Sequence, residues 1–277
     1  MSLAEVLVLA ALQGLADVLP ISAGAHTAVA RIFLGVARDP AALVAAFQIA
    51  VAAAILVLAR RPLVVAFGEG VRAIARPRLF QASPGARDAV LLLLGCAVSL
   101  PASALLRPFV ALWSEAPLAQ GLGLLITGAA LASAAIAPPG RGRVEQPSGL
   151  GMIAAALAHG LGVAPGGSRM GAALVVLLWQ GLPPGRAVDF ALALTAPALL
   201  MEGARSFGAT GVAGDVVVAG LLVAFVAALM AGSALRALAA RRRVAVLAIW
   251  VVPLGLATVA YARALPGFAF ALALDLR

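Results

Sequence analysis

Apolar residues run along the 277-residue chain in long, unalternating blocks separated by short arginine-bearing stretches. Six blocks come close to the ~20 residues that a helix needs to cross ~30 Å of hydrocarbon. They are Ala41 to Ala59, Ala89 to Leu106, Leu118 to Ala137, Arg186 to Arg205, Val212 to Leu235 and Val244 to Ala262. A transmembrane barrel would instead alternate apolar and polar positions over segments of roughly ten residues, a pattern not visible here. Two further blocks, Ser2 to Gly35 and Gly149 to Gly181, are apolar but broken at their centres by "LPISAGAH" and "VAPGGSRMG". A break at membrane depth strands backbone N–H and C=O groups that lipid cannot satisfy, so each block is predicted to be a re-entrant helix pair or to line a wet cavity.

Sliding the chain by 146 positions lays "QGLADVLPIS" (Gln13 to Ser22) over "HGLGVAPGGS" (His159 to Ser168). Gly14 then falls on Gly160, Leu15 on Leu161, Ser22 on Ser168 and Gly35 on Gly181. Each half reads as one broken hairpin followed by three full spans, and an odd number of crossings turns the second half upside down. The fold class expected is an all-α polytopic membrane protein of about six transmembrane helices plus two re-entrant helix hairpins in an inverted-topology repeat. It forms a single domain over 1–277, with repeat 1 at about 1–137 and repeat 2 at about 149–264.

Composition agrees with this pattern: 64% of residues are hydrophobic and the mean hydropathy is +1.09, far above a soluble domain. The net charge of +9 comes from arginine alone, placed at the edges of apolar segments. Such arginines set topology and meet anionic headgroups, and they exclude nucleic acid as the partner the charge serves. Arg60, Arg61, Arg72, Arg76 and Arg78 mark a cytoplasmic loop, as do Arg141 with Arg143, and Arg241 to Arg243. All three fall on one side when both broken blocks are re-entrant; Arg107 and Arg186 fit this scheme less neatly. Cys96 is the single cysteine, so no internal disulfide or CxxC site forms. A cleavable signal peptide is not expected, because the start of the chain lacks a basic n-region.

Ionisable residues inside membrane segments are expensive, which makes Asp17, His26, Arg169, Asp189 and Glu202 candidates for function. Arg169 follows two glycines at the start of an apolar helix, where backbone N–H groups and a guanidinium fork suit phosphate oxygens. The competing role is an ion pair with Asp17 or Asp189 that joins two helices. Gln13 and Asp17 are four apart on one helix face, as are Ser22 and His26 beyond the break. A carboxylate can hold a cation or take a proton, and a histidine can act as base or nucleophile. The plainer reading makes Ser22 an N-cap and His26 a satisfied polar residue at a helix junction. Gln48 lies mid-span and suits either an interhelical hydrogen bond or the site; Trp113, Trp179 and Trp250 suit the membrane interface.

Together these residues resemble a known family, the bacterial undecaprenyl-diphosphate phosphatases once called bacitracin-resistance proteins. Its first motif, approximately [E/Q]-G-x-T-E-x-x-P-x-S-S-x-G-H, is similar to "QGLADVLPISAGAH" at Gln13, Gly14, Pro20, Ser22 and His26. Its second, P-G-x-S-R-S-G, is similar to "PGGSRMG", Pro165 to Gly171, and Gln48, Asp189, Phe190 and Pro197 fit further family positions. The chain departs from the pattern at Ala16, at Asp17 in place of Glu, and at Ala23, Ala25, Met170 and Ala173. Ala23 stands where the family has a proposed catalytic hydroxyl.

The resemblance implies hydrolysis of a polyprenyl diphosphate to the monophosphate and phosphate in the bacterial inner membrane, by a multi-pass enzyme. It implies catalytic roles for His26, Asp17, Ser22 and Arg169. Phosphate is expected on Gly166, Gly167, Ser168 and Arg169, and a divalent cation, Mg²⁺ or Ca²⁺, at Asp17 and Gln13. The expected partners are the lipid substrate and membrane lipids, with a homodimer as the assembly to test for. Two alternatives stay open: a polyprenyl-phosphate or anion transporter on the same scaffold, and a non-catalytic membrane partner.

Overall fold

The computed structural model describes residues 1–36, 41–138, 145–206 and 212–265, and all regular structure among them is helical. Arg141 and Arg143 lie outside the described residues. Six helices are long and apolar enough to cross a membrane. They are α3 (Ala41–Leu58), α6 (Pro84–Ala111), α7 (Pro117–Ser133, extended by a 3-10 turn to Ile136), α10 (Pro184–Arg205), α11 (Gly214–Ala240) and α12 (Ala248–Ala264, preceded by a 3-10 turn from Val244). They match the six predicted spans, with α6 and α11 running several residues further. The chain is a multi-pass membrane protein.

The two broken blocks fold as helix pairs: α1 (Leu3–Val18) with α2 (Ala23–Leu34), and α8 (Gly149–Leu161) with α9 (Arg169–Trp179). At 1.5 Å per residue these helices are ~17–24 Å long, short of a crossing and compatible with re-entrant arms. Pro20 follows the extended C-cap Leu19 and ends α1, since proline cannot donate into a helix and pushes its predecessor out of the helical region. In the second break Gly166 takes φ +69°, and a Cβ there would sit 2.1 Å from the Gln120 carbonyl oxygen, so the turn admits only glycine.

Ion pairs at one end of the bundle fix the direction of the helices. Arg236 near the end of α11 reaches Asp189 at the start of α10 (2.8 Å) and the Leu58 carbonyl at the end of α3 (3.1 Å). Arg186, also at the start of α10, holds both oxygens of Asp88 at the start of α6 (2.8 and 2.6 Å). Equivalent helices of the two halves, α3 with α10 and α6 with α11, therefore run in opposite directions. The packing repeats accordingly: α1 lies along α11 and α8 along α6, while α3 meets α10 and α7 meets α12.

Small residues allow these close approaches, as is general where lipid supplies no drive to associate. A Cβ on Gly14 would come 2.3 Å from the Ala224 carbonyl, and one on its repeat partner Gly160 would come 2.7 Å from the Ala102 methyl. Of the six spans α10 is the most enclosed, with 72% of an apolar 18-residue stretch buried against 17% for α6. A charged residue on α10 thus meets protein rather than lipid.

One expectation is corrected. The basic stretch after α3 is not a loop: it forms α4 (Arg60–Ala75) and a single turn, α5 (Leu79–Ala82). Helix α4 buries Ala66 and Ala73, packs on α6 with Gly70 against Ala89, and exposes Val64, Phe67, Val71 and Ile74 beside Arg61 and Arg72. Exposed apolar residues recur here at helical spacing with arginines alongside, the pattern of a helix lying at the membrane surface.

Candidate functional site

The two breaks meet at one cavity of about 230 Å³. Its wall includes Gln13, Asp17 and Ser22 from the first pair, Gly162 to Met170 from the second, and Gln48, Arg107, Gln120, Thr195 and Glu202 from the spans. Arg107 and Ser114, both in its wall, lie at or beyond the last turns of α6, a ~42 Å helix that starts beside the basic α4. The cavity therefore sits toward the end of the bundle opposite the arginine-rich segments.

Both short helices that leave the breaks begin at this cavity. Ser22 caps α2 by accepting the Ala25 amide (3.4 Å), and Ser168 caps α9 by accepting the Gly171 amide (3.1 Å). Two helix N-termini with their positive dipole ends converge on one space, which favours an anion there. Ser22 does so at φ +75° and ψ 98°, a conformation that costs a residue with a Cβ about 1–3 kcal/mol and that clusters at functional sites.

The second break is pinned by α7. Gly166 donates its N–H to Gln120 Oε1 (2.7 Å), and Thr127 donates to the Gly166 carbonyl (2.9 Å). Gly167 donates its N–H to Ala164 within the turn (2.8 Å). Of the expected phosphate cradle of Gly166, Gly167 and Ser168, the first two amides are thus engaged within the protein. Gly166 and Gly167 spend their amides holding the loop in shape. Helix geometry leaves the amides of Ser168, Arg169 and Met170, at the N-cap and the first two positions of α9, without an intrahelical acceptor.

Arg169 forms an ion pair, but with neither Asp17 nor Asp189. Its Nη1 reaches Glu202 Oε1 (2.8 Å) and its Nη2 reaches Glu202 Oε2 (2.9 Å). Arg107 Nη2 also reaches Oε1 (2.7 Å), and Gln48 Nε2 donates to Oε2 (3.2 Å). Asp189 belongs to the strut at the far end of the bundle described above. Arg107 had no assigned role in the sequence; its poor fit to the basic loops was the only signal it gave.

His26 is held outside this group. It does not line the cavity. Its Nδ1–H donates to the Ser22 carbonyl (2.8 Å), so Nε2 is left as the acceptor for the Trp250 indole N–H (2.8 Å). Both ring nitrogens are engaged, and Trp250, expected from the sequence at the membrane interface, is a partner of the first break. His159 is fully buried and stands between Ser99 (2.6 Å to Nδ1) and Thr195 (3.3 Å to Nε2). Thr195 gives its own proton to the Ala191 carbonyl (2.8 Å), which makes His159 Nε2 the donor and Nδ1 the acceptor from Ser99.

Gln13 and Asp17 do meet: the Gln13 amide nitrogen donates to Asp17 Oδ2 (2.6 Å). That contact turns the nitrogen of Gln13, not its oxygen, toward the carboxylate. Among the described residues no three His, Cys, Asp or Glu side chains come together as a metal centre. This donor set suits a divalent cation only where a diphosphate supplies most of the oxygens.

A family model described as bacitracin resistance protein BacA matches residues 6–257. A protein of Korarchaeum cryptofilum named undecaprenyl-diphosphatase is 30% identical over 204 residues, covering 72% of this chain and 75% of the relative. One of the same name from Treponema denticola is 26% identical over 267 residues, covering 92% and 96%. Another from Rubrobacter xylanophilus is 28% identical over 222 residues, covering 75% and 77%. With the match extending from the first turn of α1 into α12, across both breaks and the cavity between them, the chain belongs to the bacitracin resistance protein BacA family.

Proposed function

We propose that this chain hydrolyses a polyprenyl diphosphate, undecaprenyl diphosphate foremost, to the prenyl monophosphate and inorganic phosphate. The observation that carries the reading is the convergence of Arg169, the N-termini of α2 and α9, and Asp17 on one cavity. Guanidinium, helix dipoles and free amides match the charge that builds on phosphate oxygens during transfer. A carboxylate beside them matches the proton that a water nucleophile must lose.

In this reading Arg169 and the first amides of α9 hold the terminal phosphoryl group. Asp17 takes a proton from water as the water oxygen bonds to the terminal phosphorus. The bond from that phosphorus to the bridging oxygen breaks, and the bridging oxygen leaves with the prenyl monophosphate. Ser22, whose hydroxyl oxygen serves the helix cap, keeps its proton to orient the water or a phosphate oxygen. Ala23 offers no hydroxyl, which favours water as the nucleophile. Asp17 is also the residue that would share a diphosphate-bound cation, whose chemistry is to neutralise charge on the phosphate oxygens.

His26 acts as a strut, tying the first break to Trp250 on α12, and not as the nucleophile. A second cavity of about 400 Å³ shares Gln120 with the first and is bordered by Ala28, Val29, Ile32 and Tyr261 on one side and by Thr258 and the Arg31–Glu115 ion pair on the other; its apolar side gives the prenyl chain a way out. By the distribution of arginines the site opens away from the cytoplasm, on the outer side of the cell membrane. Transport on the same scaffold is the weaker reading, since the curated relatives are named for hydrolysis.

The test is product analysis. Purified protein given a C15 prenyl diphosphate yields prenyl monophosphate and inorganic phosphate in equal amounts. Release of inorganic pyrophosphate, or passage of intact lipid across a vesicle without phosphate release, would overturn the proposal.

A further inference from the structure

Glu202 is 5% exposed and sits on the most enclosed span. Its Oε2 accepts hydrogen bonds from Arg169 Nη2 (2.9 Å) and Gln48 Nε2 (3.2 Å), and its Oε1 makes ion-pair contacts with Arg169 Nη1 (2.8 Å) and Arg107 Nη2 (2.7 Å). Both oxygens of the carboxylate are thus turned to cationic or amide groups, while Arg169 Nη1, within ion-pair reach of Oε1, keeps a hydrogen-bonding capacity that Glu202 does not fill. Arg169 turns both Nη atoms toward the carboxylate, the side-on approach a guanidinium also makes to phosphate. Glu202 thus occupies the very donors that a phosphate would need, in the wall of the cavity where the proposed reaction takes place.

We infer that Glu202 is a built-in counter-anion of the phosphate site and that Arg107 is the second guanidinium of that site. In the empty cavity Glu202 holds Arg169 and Arg107 side by side. The substrate's terminal phosphate binds by replacing the Glu202 carboxylate on both, and Gln48 retains the displaced side chain. The inference rests on the phosphatase reading for the identity of the anion, but its structural content, one anion exchanging for another on two arginines, is independent of turnover.

Charge decides the direction of the effect. Asp17 and Glu202 cancel Arg107 and Arg169, so an entering diphosphate meets a neutral group of four side chains. Removing the charge of Glu202 leaves the fork intact and the site one unit more positive. Arg107 is 39% exposed along its side chain, against 13% for Arg169, which leaves it room to turn toward a ligand. A carboxylate that merely braced the helices would behave in the opposite way, because its loss would splay the two arginines.

The test measures binding of inorganic pyrophosphate to the purified full chain by calorimetry, alongside KM and kcat for a C15 prenyl diphosphate. Glu202→Gln is expected to tighten pyrophosphate binding and lower KM on the order of tenfold, the scale of one charge contact in a partly screened site. Arg107→Gln is expected to weaken both to a similar degree while kcat changes less. Weaker binding in Glu202→Gln overturns the inference, as does unchanged binding in either variant. Where Glu202→Gln does not fold, Arg107→Gln alone decides. Absence of turnover in the unmodified protein defeats the phosphatase reading, whereas the binding shifts then still decide the exchange of anions.

Discussion

Ser22 and Ser168 stand 146 residues apart, occupy the same place in the two halves of the chain, and cap the two short helices that begin at one cavity. The two halves run in opposite directions, so their breaks meet tip to tip instead of lying side by side. Each break interrupts its helix pair, and together they line one polar cavity.

The strain at Ser22 gives the first prediction. Ser22→Ala loses the cap and keeps φ +75°, and it should lower stability by about 1 kcal/mol. Ser22→Gly loses the cap but relieves the strain, and it should unfold close to the original protein in a thermal melt. The reverse order would mean that the conformation at Ser22 carries no strain.

The pairing of His26 with Trp250 separates a strut from a nucleophile. As a strut, His26→Gln and Trp250→Phe should each lower kcat by a comparable, modest factor, and the double variant should cost little more than either alone. A nucleophile would behave differently: replacing His26 would abolish turnover, and Trp250→Phe would leave it nearly intact.

Asp17→Asn removes the proposed base and should lower kcat by roughly 10² to 10⁴. Gln13→Ala, which removes only the donor to Asp17, should cost far less. Because Asp17 stands with few other oxygen ligands, titrating Mg²⁺ into the protein alone should show no saturable heat. Tight binding of the metal in the absence of diphosphate would contradict this.

Gly166→Ala introduces a methyl 2.1 Å from a backbone oxygen at a positive φ, and should collapse the tip of the second hairpin with loss of both stability and activity. Gly185→Ala, at an open position in the first turn of α10, should be neutral or slightly stabilising. Thermal unfolding and phosphate release read both variants.

Much of this was legible in the chain because each feature is local. A full span needs only a run of apolar residues, and "LPISAGAH" and "VAPGGSRMG" announce their breaks through proline and glycine. The repeat then pairs Ser22 with Ser168 and Gly14 with Gly160 from the sequence alone. Helix α4 was hidden because arginine and surface-facing valine, phenylalanine and isoleucine mix within one short stretch that lacks the length of a span. The partners of the site residues were hidden for another reason. Arg169 to Glu202 and His26 to Trp250 join different spans, 33 and 224 residues apart, and no local pattern encodes which buried carboxylate or indole a side chain will meet. Arg107 was visible only as a misfit to the basic loops.

The central claim is that Arg169 holds the phosphate that is transferred. The most direct measurement is inorganic phosphate release from a C15 prenyl diphosphate by purified protein, with Arg169→Ala and Arg169→Lys compared with the original chain. Loss of the charge-matched clamp should lower the rate by 10² to 10³ or more in Arg169→Ala, on the order of removing one strong oxyanion donor, with partial recovery in Arg169→Lys, which keeps the charge and loses the fork. Phosphate release by Arg169→Ala at the rate of the original chain would contradict the account.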